Sequence, residues 1–327
     1  MKALVYTATM ESEIREVDAP VAVSGQTIVR LALCGICGSD MHAWHGHDER
    51  RVPPLVLGHE SVGIAMNGPH AGARVAINPL ISCHECDVCE GGNPHLCAKR
   101  ELIGMRIPGA FAEQVMVPDR NVIPLDDAVT FENATLAEPT AVAVRTVVLA
   151  RRGGSTPTDK VVVLGGGAIG LLCAQVLIAY GYAPPMVAET NPLRRRVLDE
   201  LGICQTYDPR ETAIEDGSVD LVIDAVGMGA TRAASTAMLR PGGVLIHVGL
   251  QDNDAGLDTR RMTLQEITFI GTYCYTPDDF AEALAMLTDG RVSGACWTDL
   301  RPLDDGAAAF TDIHEGRAAP KIILSME

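Results

Sequence analysis

The sequence predicts an α/β protein of two domains, one rich in short strands and one built on a doubly wound parallel sheet. Three observations lead there: the length, a change of texture near residue 160, and a glycine-rich turn between a strand and a helix. At ~150 residues per domain, a chain of 327 residues holds about two. Up to about residue 140, brief and partly alternating apolar runs at 28–31, 63–65, 74–77 and 113–117 lie between Gly/Pro turns and read as strands. Beyond it, the runs at 161–164, 186–188, 221–223, 244–248 and 268–270 are mostly continuous Val, Ile and Leu, as in strands covered on both faces. Helix-compatible stretches at 168–179, 193–201 and 230–239 separate them, and that alternation predicts a parallel sheet. After about 277 the pattern gives an amphipathic helix over 278–288, with Phe280, Leu284 and Leu287 on one face, then irregular chain and a last strand over 321–324. This tail is too short for a domain of its own and is expected to rejoin the first one.

Composition removes several function classes. With 26 Lys+Arg against 42 Asp+Glu the formal net charge is −16, a field that repels nucleic acid and anionic membrane surfaces. The densest basic run, Arg194 to Arg196, is too short to override it. The chain opens without the long apolar stretch of a signal peptide. Its longest uncharged run, 161–188, is broken by glycines in its first half and by Gly181, Pro184 and Pro185 at its end, which suits a turn-rich globular segment better than a membrane span. Four of the ten cysteines crowd together instead of spreading as disulfide pairs would, a pattern that favours metal binding in a cytoplasmic chain.

Gly165, Gly166, Gly167, Ala168, Ile169 and Gly170 fit G-x-G-x-x-G directly after a strand and at the start of a helix. The first glycine permits the tight turn, the second lets the backbone approach a pyrophosphate, and the third lets helix and strand pack closely. The helix N-terminus then offers free amides to phosphate. Glu189, nineteen residues after Gly170 and at the end of the next strand, is placed to accept hydrogen bonds from adenosine ribose hydroxyls. The same carboxylate repels a ribose 2′-phosphate, which favours NAD, although Arg194 to Arg196 lie close enough to leave NADP open.

Cys83, Cys86, Cys89 and Cys97 form C-x2-C-x2-C-x7-C in a loop with Gly91, Gly92 and Pro94. Four thiolates from one compact loop close a tetrahedron around zinc with no vacant position, as in a structural site. The bacterial iron–sulfur run has a shorter last spacing and a proline after its final cysteine, whereas Ala98 stands here. Cys37, His59 twenty-two residues on, and a later acid at Glu138 would make a zinc site with one open position. By spacing alone, Cys37 and His59 could equally be unrelated core residues.

The motifs, taken together, resemble the zinc-dependent medium-chain dehydrogenase/reductase family of alcohol, threonine and sorbitol dehydrogenases. The matching pieces are Gly-Ile-Cys-Gly-Ser-Asp at 35–40 with His42, Gly-His-Glu at 58–60, the four-cysteine loop, Gly-Ala-Phe-Ala-Glu at 109–113, Ala-Glu-Pro at 137–139, the glycine turn, and Asp-Ala-Val-Gly at 224–227. They run in family order over nearly the whole length. The resemblance implies a GroES-like catalytic domain over 1–143, a Rossmann NAD-binding domain over 144–277, and a return to the catalytic domain over 278–327. It also implies a homodimer or homotetramer acting on a small-molecule alcohol or ketone.

Residue by residue, it implies Cys37, His59 and Glu138 as ligands of a catalytic zinc, with Glu60 beside His59 able to enter or leave the shell. Asp40 would hold the imidazole of His59 from behind. Ser39 would bond the substrate hydroxyl, and His42 would be the outer end of a proton relay. Cys83, Cys86, Cys89 and Cys97 would hold a structural zinc. The cofactor would touch Gly165, Gly167, Ala168, Ile169, Gly170, Glu189, Arg194, Ala225, Val226, Gly227, Val248, Gly249 and Thr272.

Sorbitol-type enzymes carry an Arg-Tyr pair where Cys274 and Tyr275 stand here, which argues against sorbitol itself. The expected reaction is oxidation of a secondary alcohol or small polyol to a ketone by NAD. An NADP-linked or primary-alcohol enzyme and a catalytically silent nucleotide sensor are the alternatives. Trp44 and Phe111 are candidate apolar pocket walls, with Phe111 equally suited to the core. His45 and His47 read as solvated loop histidines, and Cys34, Cys173, Cys204, Cys274 and Cys296 as ordinary core or surface thiols.

Overall fold

The computed structural model describes residues 1–326. They form two compact units, one of residues 1–138 and 283–326, the other of residues 139–282.

The first unit is a β-sandwich-like body. Its larger sheet runs Val122–Pro124, Arg74–Ile77, Glu60–Ala65, Gln26–Gly35, Lys321–Ser325 and Thr298–Pro302, with Gln114–Pro118 also paired to Gln26–Gly35. Gln26–Gly35 is the strand on which the sheet depends. Val29 and Leu31 are buried while Arg30 between them is exposed, the period of two of a half-covered strand. At its end Leu33, Cys34 and Gly35 are all buried. The tail adds Lys321–Ser325 antiparallel to it, with Leu324 opposite Cys34 and Ile323 opposite Gly35. A smaller sheet of Glu11–Glu16, Lys2–Ala8 and Leu55–Val56 lies in the same unit, and one core of Leu4, Tyr6, Val29, Leu31, Phe111, Phe310, Ile322 and Leu324 joins them.

The second unit is a six-stranded sheet in the order Gln205–Tyr207, Met186–Ala188, Val161–Leu164, Val219–Asp224, Leu239–His247 and Thr268–Gly271, every neighbouring pair parallel. All four residues of Val161–Leu164 are buried, as the unbroken apolar run requires. The chain winds outward from this strand on one side and returns on its other side with Val219–Asp224, so the switch point of the sheet falls beside Gly165. Helix Pro192–Leu201 shows why these segments stop and start where they do. Asn191 accepts the amides of Leu193 and Arg194, Pro192 opens the first turn, and Gly202 closes the helix at φ +65°.

Residues 289–320, read from the sequence as irregular chain, contain an edge strand, Thr298–Pro302, and a helix, Gly306–His314. The strand is Thr-Asp-Leu-Arg-Pro, too polar to show an alternating face. The helix opens on Gly306 and three alanines and has only Phe310 as a large buried anchor, so its order comes from packing and not from an apolar stripe. Among the described residues no helix is long and apolar enough to cross a membrane.

Close approach of helix to strand at the glycine turn leads to a testable expectation. A Cβ at Gly170 would sit 1.8 Å from the carbonyl oxygen of Gly165. Gly170→Ala should therefore force the helix Ala168–Ala179 away from its strand and destabilise this unit by ~1–3 kcal/mol. Calorimetry checks this: an unchanged unfolding midpoint would contradict the packing described.

Candidate metal and dinucleotide sites

The first site forms where strand Gln26–Gly35 ends and helix Gly38–Trp44 begins. Cys37 is the cap residue of that helix. One oxygen of Asp40 accepts the Cys37 N–H at 3.0 Å, and the other accepts the Gly58 N–H at 3.3 Å. A single buried carboxylate thus ties the cysteine loop to the turn before His59 and suits the positive end of the helix. Gly58 is needed there, since its φ is +92° and a Cβ would lie 2.6 Å from the Phe111 ring. Glu60 pairs in register with Gly35, and a Cβ on Gly35 would come within 2.1 Å of the Glu60 carboxylate. These constraints bring the Cys37 sulfur, a His59 ring nitrogen and a Glu60 oxygen all within 4.8 Å of one another.

The electrostatics of this group favour a cation. His59 Nδ1 lies 3.4 Å from Asp40, a charge contact without hydrogen-bond alignment. Burial disfavours a charged His59 ring, but Asp40 and then Cys37 outweigh it and raise the imidazole pKa well above its ordinary value. Burial likewise opposes charge on Asp40, yet His59 holds its carboxyl below the usual range. Thiolate, imidazole and carboxylate are a donor set that zinc accepts, so the residues fit such an ion. Glu138 is buried as well but does not belong to the group within 4.8 Å. Ser39 Oγ is 3.5 Å from His59 Nε2. His42 is partly buried, and burial followed by the charge of His47 lowers its pKa.

Two cations at this site carried no signal in the sequence. The ammonium of Lys321, 261 residues away in the chain, donates to both Glu60 oxygens at 2.6 and 2.8 Å and to the Ile36 carbonyl at 2.9 Å. Lys321 and Glu60 are both buried. Burial alone would discharge Lys321, but the Glu60 carboxylate more than compensates and raises its pKa. Arg51, also buried, donates to the Gly104 carbonyl at 2.9 Å, to Asp48 at 2.7 Å, and to both the carbonyl and the hydroxyl of Ser39 at 3.3 Å.

The second site is local. Cys83, Cys86, Cys89 and Cys97 surround one point, with sulfur–sulfur distances of 3.4 Å for Cys83–Cys97 and 3.9 Å for Cys83–Cys89 and Cys86–Cys97. Zinc–sulfur bonds of ~2.3 Å give a tetrahedral edge of about 3.8 Å, so the cage is already the size of the ion. Backbone hydrogen bonding near Cys83 lowers the Cys97 thiol pKa to about 6, while burial and then the hydrogen bond with Cys86 push that of Cys89 up to about 12, so these two thiols are shifted in opposite directions when no ion neutralises them.

In the second unit Gly165 turns at φ +97° and Gly167 caps helix Ala168–Ala179 with no side chain on its amides. A Cβ at Gly167 would meet only the Arg194 guanidinium, at 3.9 Å. The open turn fits a pyrophosphate. Glu189 is buried, and its carboxylate accepts the Gly166 N–H at 2.9 Å and the Asn191 N–H at 2.7 Å, with Arg194 3.9 Å away. Asp224 organises the neighbouring loops. Its side chain accepts from Val226 and Gly227 and its carbonyl from Val248 and Gly249. A Cβ on Gly227 would lie 2.1 Å from the Gly249 backbone, so these two loops touch. The Thr272 amide donates to the His247 carbonyl beside them.

Two sequence expectations change and one open reading is decided. Trp44 and Phe111 are buried and pack against Phe310 with ring centroids 5.9 and 6.1 Å apart, which makes Trp44 chiefly a core residue and decides Phe111 for the core. His45 is not simply solvated, since it lies against Trp44 and shares a hydrogen bond with His314. The Lys321–Glu60 pair sets an energetic test. Lys321→Met leaves a buried carboxylate without its cation and should cost ~3–5 kcal/mol, much of it recovered in Lys321→Met/Glu60→Leu. Denaturation of the four proteins of this cycle measures it, and a full-cost double variant would show the pair to be uncoupled.

Comparison with known proteins places this geometry. Residues 23–127 match the family model for the alcohol dehydrogenase GroES-like domain, and residues 168–289 match that for zinc-binding dehydrogenases. The chain is 31% identical to L-galactonate-5-dehydrogenase of Escherichia coli, over 90% of this chain and 89% of that protein. It is 29% identical to a probable D-xylulose reductase A of Neosartorya fischeri, over 92% and 89%. Among solved structures, a putative zinc-binding dehydrogenase of Sinorhizobium meliloti bound to NADP superposes with a TM-score of 0.88 at 27% identity, covering 99% of this chain and 98% of that one. The chain belongs to the zinc-dependent medium-chain dehydrogenases, an oxidoreductase of their polyol dehydrogenase type.

Proposed function

We propose that this protein interconverts a secondary alcohol within a polyhydroxylated chain and the corresponding ketone, with NAD as hydride acceptor. The observation that carries this reading is the convergence of Cys37, His59 and Glu60 within 4.8 Å, with Ser39 Oγ 3.5 Å from the His59 ring. Names of relatives supply the substrate class, since one is a dehydrogenase of a sugar acid and the other a ketose reductase.

When bound, zinc supplies Lewis-acid polarisation of the substrate hydroxyl and the nicotinamide supplies the hydride acceptor. The chain's own residues do the rest. Cys37 and His59 would hold the metal, with Glu138 or Glu60 as the acidic ligand. Ser39 Oγ would receive the substrate hydroxyl proton as its own hydroxyl proton passes on along the relay towards His42, and Arg51 donates to the same oxygen and fixes its position. His42, with its pKa lowered by burial and then by His47, releases a proton readily to solvent at the outer end. In the second unit, Gly165 to Gly170 hold the pyrophosphate and Glu189 holds the adenosine ribose. A 2′-phosphate would have to lie beside the Glu189 carboxylate, which underlies the choice of NAD.

The direct test follows NADH formation by the zinc-loaded protein across linear polyols, sugar acids, simple secondary alcohols and primary alcohols. Chelator-sensitive turnover confined to the polyhydroxylated group is the expected result, and turnover of primary alcohols alone would overturn the reading. Metal analysis of the purified protein should find zinc at both centres. Cys86→Ser/Cys89→Ser should lose the zinc of the loop and keep that of Cys37 and His59. Glu189→Ser should lower the NAD-to-NADP ratio of kcat/KM by about tenfold or more, ~1.4 kcal/mol. An unchanged ratio would assign the discrimination to other residues.

A further inference from the structure

Four of the nine histidines gather on one side of the first unit, apart from the metal ligands described above: His42, His45, His47 and His314. His45 Nε2 and His314 Nδ1 are 3.0 Å apart, and the His47 ring centroid lies 5.6 Å from that of His45. No carboxylate pairs with His45 or His314 among the ion pairs of the described residues. His45 follows the last residue of helix Gly38–Trp44, and His314 is the last residue of helix Gly306–His314. Two helix C-termini, each with a partial negative charge, therefore converge on the same imidazole pair.

We propose that His45, His314 and His47 form a surface binding site for a late first-row divalent transition metal such as Ni2+ or Cu2+. The 3.0 Å between His45 Nε2 and His314 Nδ1 is a hydrogen-bond separation that brings both rings within reach of one ion. Imidazole nitrogens suit Ni2+ and Cu2+, and affinity for such donors rises along the first row to Cu2+. In their present hydrogen bond one neutral ring donates its N–H to the other. For an ion to take a nitrogen lone pair from each, the donor ring changes tautomer, its proton passing to its other ring nitrogen, and both rings reorient by side-chain rotation. Both rings must be neutral to bind, and burial of His45, then the neighbouring His314, His47 and His42, lowers the His45 pKa and keeps it so. His47 is exposed, and its nitrogens do not lie within 4.8 Å of both other donors as the rings now stand, so it joins as the third ligand by rotating its side chain. The site uses no residue of the zinc centres and stands whether or not the proposed reaction is right.

The test uses tag-free, zinc-loaded protein equilibrated with Ni2+, desalted and analysed for both metals, with Cu2+ in a parallel experiment. The expected result is one Ni2+ per chain taken up with zinc fully retained. Bound Cu2+ should quench Trp44, whose ring lies 5.3 Å from His45 and 5.8 Å from His314. His314→Gln and His45→Gln should each lose this equivalent while keeping their zinc and their circular dichroism. Electron paramagnetic resonance of the Cu2+ form should show three coordinated nitrogens, and two in His47→Gln. Absence of uptake, release of zinc in step with it, or equal uptake by His314→Gln and His45→Gln would each overturn the site. Two nitrogens in the unsubstituted protein would overturn the role of His47.

Discussion

The buried ion pair between Lys321 and Glu60 is the contact on which the first unit depends. Glu60 opens one strand, Lys321 opens another, and both flank the central strand Gln26–Gly35, whose Gly35 leaves the space in which the carboxylate lies. Neither charge could remain buried alone at tolerable cost. Their pairing, with the Ile36 carbonyl as a third partner, fixes the tail against the loop that carries Cys37. It also sets the terms on which Glu60 can serve a metal, because a cation in the cluster would share this carboxylate with Lys321.

The two metal centres are built on opposite principles. The four-cysteine cage comes from fifteen consecutive residues whose tight turns alone bring the sulfurs to metal spacing. The Cys37 centre is assembled from the end of one strand, the start of a helix and the start of another strand, and Asp40 is the brace that makes these parts one object. A local cage closes around an ion and strengthens a loop. A centre gathered from several elements can leave a coordination position open, because its ligands are held from behind by the sheet and not by the ion.

This contrast explains what the sequence disclosed. The parallel sheet was legible because its strands are unbroken apolar runs, and strand 161–164 and helix 168–179 fall where the pattern puts them. The four-cysteine loop and the glycine turn are short-range patterns and could be read directly, whereas Cys37 and His59 are joined only through the family resemblance. Lys321 and Arg51 could not be read, because their roles depend on sheet register and on a loop folding back over Ser39, neither of which leaves a periodic trace. Trp44 and Phe111 show the same limit from the other side. An aromatic beside a catalytic motif reads the same whether it faces a cleft or the core, and only the presence of Phe310, some two hundred residues later in the chain, decides between them. Helix Gly306–His314 escaped notice because alanines make a helix without marking a face.

The threading of the chain has a consequence for its birth on the ribosome. Residues 139–282 are contiguous and can collapse as soon as they emerge, whereas the unit begun by residue 1 lacks a strand of its main sheet until residues 321–325 have been translated. The N-terminal part, which in vectorial folding usually folds first, cannot complete its main sheet until the tail is made. Throughout that interval the edge of Gln26–Gly35 that Lys321–Ser325 will cover stands open, and Glu60 waits without its cation. A chain held on the ribosome after residue 282 but before residue 321 therefore has every residue of the second unit and still lacks strand Lys321–Ser325 of the first.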